Sequence, residues 1–145
     1  MGDLRERRAP LILAVQASEA ALWLVMASLA LRIVPHHRLF RELPSGAAGP
    51  AFRAGADQLV VRIRNDVEAV ARRLPWHPAC LPRALAGHLM CRMRGLQVPI
   101  AISVVKGQGT FSTGHARLLC GSEDQCAAET PPGRVHLGRI VLAWH

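Results

Sequence analysis

A chain of 145 residues has room for one domain with one core and hardly for two. Half of its residues are apolar and the mean hydropathy is +0.18, which excludes disorder throughout. A formal charge of +8 favours acidic partners (peptide, nucleic acid or anionic lipid) without choosing among them, and an Arg- and Ala-rich genome accounts for it equally well.

Met1 to Pro10 is charged and expected to be loose. Leu11 to Val34 is the most apolar stretch, but Glu19 sits inside it and Gln16, Ser18 and Ser28 dilute it. The longest uncharged run, Ala20 to Leu31, is too short to cross a bilayer. Leu22, Met26, Leu29 and Ile33 follow helical spacing, which predicts a helix packed by that stripe against the rest of the domain. The alternative is a helix in peripheral contact with a membrane, since Arg32, His36, His37, Arg38 and Arg41 follow as a basic cluster. Residues 11–43 therefore read as an apolar helix with a basic connection. They lead, within a single domain over 1–145, to a core over 57–145.

Pro35 and the run Pro44 to Pro50 mark a loop. A second helix is predicted over Asp57 to Arg73, with Leu59, Ile63, Val67 and Val70 on one face and Arg62, Arg64, Arg72 and Arg73 largely off it, toward solvent. Pro75 and Pro78 force an extended loop that carries Trp76 up to Cys80. The third helix starts at Cys80 and stops at Gly95, a good C-terminal cap, with Pro82 tolerated because first-turn amides lack intrahelical partners. Strands are expected over Val98 to Val105, Thr113 to Cys120 and Arg134 to Ala143, with turns at 106–109 and 121–124. Helices first and an antiparallel sheet afterwards make an α+β arrangement.

The most informative stretch is Trp76 to Ala86, where a lone cysteine stands at the point at which a proline-punctuated loop becomes a helix. The second is Gly114-His115-Ala116, a histidine between small residues in a predicted strand. A thiolate is the reactive form of cysteine, and both a helix N-terminus and a neighbouring imidazolium favour an anion. If His115 faces Cys80 across the helix–sheet junction, the pair can serve as nucleophile and base, with the helix-start amides holding a tetrahedral oxyanion. An inert buried cysteine and a structural histidine fit the same pattern.

Pro-Trp-x-x-x-Cys-Leu-x-Arg-Ala-Leu-Ala over Pro75 to Ala86 resembles the nucleophile segment of the lasso-peptide biosynthesis B2 proteins, leader peptidases of the transglutaminase-like (papain-like) cysteine peptidases. The likeness continues through Arg94-Gly95-Leu96 and reaches His115-Ala116. Upstream it includes Arg32-Ile33-Val34-Pro35, and it covers most of residues 20–120. Two positions depart from the family: Arg117 stands where tryptophan is usual, and Ala127 where an aspartate is usual. The third triad member then falls to Asp124, with Glu123 or Glu129 as substitutes; Asp124 reads equally as a turn-forming surface residue.

The resemblance implies a transglutaminase-like core in which Cys80 attacks the junction between leader and core of a ribosomal precursor peptide and His115 moves the proton. Trp76 and Arg83 would shape the substrate cleft. It implies no cofactor, a discrete leader-binding partner of the winged-helix-like kind, for which this chain has no room, and a separate ATP-dependent cyclase that closes the macrolactam. Rival readings are a related acyl transferase, a catalytically inactive binding or scaffold subunit on the same fold, and a basic nucleic-acid or membrane-surface module.

Other features carry less. Few aromatic platforms are available for nucleic acid, with Tyr absent and three Phe, so none is expected as partner. His36 and His37 with His77 or His88 share no ligand spacing, so no metal is expected. Cys91 lies along the same helix as Cys80 and should face the core, while Cys120 and Cys126 read as paired neutral thiols. Sparse cysteines and no clear signal peptide point to the cytoplasm, membrane-associated if the first helix binds lipid.

Overall fold

The computed structural model describes residues 3–43, 56–105, 114–119 and 134–142. In chain order the elements are α1 (Asp3–Ile33), α2 (His36–Leu39), β1 (Phe40–Leu43), α3 (Ala56–Ala71), α4 (Cys80–Met93), β2 (Ile100–Val105), β3 (Gly114–Leu118) and β4 (Arg134–Leu142). The strands form one antiparallel sheet in the order β1-β4-β2-β3. A helix-rich chain with a small antiparallel sheet is the α+β arrangement that the sequence predicts.

Two elements differ from expectation. The helix α1 starts at Asp3, so residues 3–10 are not loose. Leu4 to Ala9 all have high to moderate helix propensity, and they carry the helix into the apolar stretch despite the missing N–H and the ring clash that Pro10 brings. Residues 40–43, read as a basic connection, form a strand, with Phe40 opposite Leu142 and Glu42 opposite Ile140. Four residues are too few for an alternation to show; β1 exists because β4 offers it an unpaired edge.

Helix α3 buries Val60, Ile63, Val67 and Val70, with Ala56 and Ala71 at its ends, each side chain of Val or Ile size contributing about 1.5–3 kcal/mol before chain entropy is counted. The expected stripe is right from Ile63 onward, whereas Val60 is the wholly buried member and Leu59 packs at its margin. Helix α4 is central: α1 and α3 pack on it and the sheet, through β3 and β2, packs on it too. Its buried side therefore runs almost around the axis, through Ala84, Leu85, Ala86, Gly87, His88, Met90 and Cys91. The sheet closes on α4 where Gly87 passes Leu118; a Cβ on Gly87 would lie 3.1 Å from Leu118 Cδ2.

Helix α4 ends as predicted. Gly95 adopts φ +74, its N–H reaches the Arg92 carbonyl at 2.9 Å, and the Leu96 N–H reaches the Cys91 carbonyl at 3.0 Å. This paired closure satisfies two of the last carbonyls and needs a residue without a Cβ penalty at the turn.

The packing of α1 is the reverse of the prediction. Ala20, Leu24 and Ala27 are buried against α3 and α4, and Leu22, Met26, Leu29 and Ile33 are exposed. Periodicity marks a stripe but does not say which of two apolar stripes faces inward. Alanines let helix axes approach closely, so the Ala-rich face packs and the bulky one is left outside.

Candidate active site

The segment that delivers Cys80 is built by prolines. After α3 the chain turns at Leu74 to His77, where the His77 N–H donates to the Leu74 carbonyl at 3.2 Å. His77 has φ +40, an unusual conformation for a residue with a side chain, and leads directly into buried Pro78. Ala79 caps α4 in an extended conformation and has no side chain that can accept from the helix. Pro82 lies in the first turn, as expected, and brings no N–H. The first-turn amides of Cys80 and Leu81 are thus not claimed by a side-chain cap.

Arg83 holds this segment in place. Its Nε donates to the Pro78 carbonyl at 2.7 Å and its guanidinium donates to Glu68 Oε2 of α3 at 3.0 Å. The loop before the cysteine is therefore strapped to both flanking helices by one side chain.

His115 arrives on β3, the strand at the sheet edge. Directly opposite it on β2 is Ser103, buried although polar, and Ser103 in turn pairs with His136 on β4 across an irregularity in the ladder. Ala116 and Leu118 take the buried positions of β3, with His115 and Arg117 alternating between them at half-buried ones. Cys80 Sγ lies 3.8 Å from the carbonyl oxygen of Gly114, the residue before the histidine. Helix start and strand start thus meet.

Between α3, α4 and β3 runs a cleft of about 230 Å³ whose walls include Cys80, Arg83, Glu68, Arg64, His115 and Arg117. Cys80 is half-buried at its side, whereas Cys91, three turns along, is buried in the core as predicted. Three of the five predicted site residues are brought together there: Cys80, His115 and Arg83. Trp76 is not among the residues that line the cleft. It is 51 % exposed on the turn before Pro78, because His77 redirects the chain after it. Asp124 lies outside the described residues, as do Glu123, Glu129, Cys120 and Cys126.

Two charged or titratable side chains outside the cleft have structural work. His88 is buried and its Nδ1–H donates to the Val98 carbonyl at 2.6 Å, tying α4 to the start of β2. Burial holds its pKa below the ordinary imidazole value, helped by Arg92, against the pull of the Val98 carbonyl. Arg94 meets Glu19 of α1 in a two-pronged pair.

A family model of the transglutaminase-like superfamily matches residues 21–141, which takes in α3, α4 and the whole sheet. The chain belongs to the transglutaminase-like superfamily. No curated protein and no solved structure matches it. Transglutaminase-like proteins are usually cysteine-dependent enzymes, and in this one the cysteine that opens the central helix shares a cleft with a histidine on the edge strand.

Sequence reasoning missed two polar residues that line this transglutaminase-like site, and a third that stands opposite His115 in the sheet. Glu68 and Arg64 were assigned to solvent or left aside, since a carboxylate that holds an arginine across a helix pair has no signature in linear spacing. Ser103 had one: it is the single polar residue in the apolar run Ile100 to Val105.

Proposed function

We propose that this protein is a cysteine peptidase that removes the leader from a ribosomally made lasso precursor peptide, before a separate ATP-dependent cyclase closes the macrolactam. The observation that carries the reading is the shared cleft of Cys80 and His115, with the thiol sulfur 3.8 Å from the carbonyl that precedes the histidine. The motif from Pro75 to Ala86 supplies the substrate class. A discrete leader-binding protein presents the precursor, and the cytoplasm keeps the thiol reduced.

In the resting arrangement the Cys80 thiol is directed at Gly114 O. For reaction it turns to the His115 imidazole, which takes the proton. The sulfur attacks the scissile carbonyl carbon at the leader–core junction, forming a C–S bond and an oxyanion. The Cys80 and Leu81 amides at the helix start are the donors for that oxygen, since Ala79 has no side chain that caps them. The imidazolium gives its proton to the leaving nitrogen as the C–N bond breaks, which frees the amine of the core peptide. Water, deprotonated by the same ring, attacks the thioester; the leader leaves as a carboxylate and the thiol is regenerated. The resemblance assigns the third member of the triad to Asp124, with Glu123 or Glu129 as substitutes.

The test is cleavage of a precursor peptide, with its leader-binding partner present, followed by mass spectrometry. Cys80→Ala abolishes product and a trapped acyl-enzyme on Cys80 appears in the parent, whereas Cys91→Ala cleaves at a rate near the parent's. Cleavage by the Cys80 variant at parental rate sinks the peptidase mechanism. Precursor binding without cleavage by the parent assigns the protein to the inactive scaffold class, and transfer of the acyl group to an added amine in preference to water assigns it to acyl transfer.

A further inference from the structure

From Leu22 to Ile33 the outward face of α1 is mainly apolar, and Val15 continues it beyond Ser18. Val15, Leu22, Met26, Leu29 and Ile33 recur at intervals that place them in one stripe, opposite the face that packs on α3 and α4. Leu22 is 60 % and Ile33 77 % exposed, and Val25 widens the stripe. Contiguous exposed apolar surface of this kind marks a site of contact.

The exposed charges described at the C-terminal end of the stripe are basic. From Ala14 to Arg41 the only carboxylate is Glu19, and Arg94 neutralises it through two hydrogen bonds of 2.9 and 2.8 Å. Arg32, His37, Arg38 and Arg41 are exposed where the stripe ends. The segment Ala14–Ile33 is long and apolar enough to cross a bilayer by composition. Its back, however, is already occupied by the protein, and a helix packed on a domain along one face does not have lipid all round it. Such a helix lies in the plane of the interface.

We propose that α1 docks the protein on an anionic membrane surface, with Leu22, Met26, Leu29 and Ile33 in the acyl boundary and Arg32, Arg38 and Arg41 against lipid phosphates. Charge selects this occupant over a second copy of the chain. A copy offers apolar surface but brings another +8, whereas an anionic surface supplies both halves of what the face presents. The proposal does not depend on the peptidase reading.

Vesicle co-sedimentation of the full chain tests it, using phosphatidylcholine alone and phosphatidylcholine mixed with phosphatidylglycerol. The parent partitions onto the mixed vesicles, far less onto the neutral ones, and is released by high salt. The L22Q/M26Q/L29Q variant loses about 100-fold in partitioning with unchanged circular dichroism and melting. Arg32→Gln, Arg38→Gln and Arg41→Gln each lose about five-fold. If the triple variant does not fold, Ile33→Gln, at the end of the helix, gives the same reading at smaller amplitude. A parent that stays in the supernatant with mixed vesicles at low salt overturns the proposal, as does a triple variant that binds like the parent. Equal binding to neutral vesicles removes the role of the arginines. A lipid-free dimer in light scattering that the triple variant abolishes, without vesicle binding by the parent, gives the face to a second copy and overturns the proposal too.

Discussion

Glu19 and Arg94 lie 75 residues apart and meet through both carboxylate oxygens and both terminal guanidinium nitrogens, at 2.9 and 2.8 Å. Arg94 also donates to the Met90 carbonyl at 2.9 Å, so its side chain is held on the last turn of α4 before it reaches α1. The one acid within the apolar stretch Leu11 to Val34 thus clasps α1 to the end of α4. The clasp is compatible with burial of the Ala20, Leu24 and Ala27 face, which close packing favours.

Breaking the clasp should cost little at neutral pH and nothing in acid. Both side chains are about one-third exposed, so Glu19→Gln lowers stability by about 1 kcal/mol. Hydrogen bonds from Arg94 hold the Glu19 carboxyl below its ordinary value of 4.5, with Arg94's charge adding to the effect and partial burial opposing it. On acidification the unfolded chain binds that proton first, so the contribution is full above pH 4.5 and fades as pH falls through the folded value. Urea unfolding of parent and variant should differ at pH 7 and converge as pH falls below 4.5 and through the folded value.

His88 has a depressed pKa in the fold, so it also stabilises from the alkaline side. Its ring is neutral and buried; below its ordinary value of 6.5 the unfolded chain takes up a proton that the folded chain resists. Stability therefore falls as pH drops below about 6.5 toward the folded value. His88→Asn, whose amide can still donate to the Val98 carbonyl, should flatten the melting temperature between pH 5 and 7. His88→Leu leaves that carbonyl unpaired and should cost about 1–3 kcal/mol at neutral pH, with the difference from the parent shrinking below pH 6.5.

Arg83 positions Cys80 through the Pro78 carbonyl and Glu68. Arg83→Met removes both bonds and should lower kcat for precursor cleavage about ten-fold with little change in KM, since a misplaced nucleophile costs rate more than binding. Trypsin should also cut after exposed Arg72 or Arg73 faster in the variant, a readout that does not depend on activity. Parental rates of both cleavage and nicking would remove the strap argument.

Gly87→Ala sets two effects against each other. Alanine in mid-helix is worth about 1 kcal/mol over glycine, but the new methyl at 3.1 Å from Leu118 Cδ2 meets a side chain that is itself buried. Overpacking should win, with a net loss of about 1 kcal/mol by thermal or urea unfolding. Adding Leu118→Val should recover part of it, because the crowded methyl position is gone.

Much of α4 could be read from linear order. A proline three residues into a helix sets the register of Cys80, and a glycine at its far end sets the stop; both are backbone constraints that act within a few residues. The strands at Ile100 and Arg134 and the apolar stripe of α3 from Ile63 onward follow from periodicity for the same reason. The stripe on α1 is equally visible in the sequence, yet it faces outward and the Ala20, Leu24 and Ala27 face packs. An all-round apolar helix carries no record of which face will find a partner.

What linear order determined, then, is local: a cysteine opening a helix, a histidine between small residues in a strand, and the lengths of most elements. These depend on φ restrictions, capping and side-chain period, which neighbours in the chain impose. Only the tertiary structure decided that α1 turns its bulky residues outward, that Arg83 joins the loop before Cys80 to α3, that residues 40–43 add a strand beside β4, and that Cys80 and His115 line one cleft. Most of these relationships join groups far apart in the chain, and such contacts are chosen by close packing and by pairing of charges and backbone donors in space.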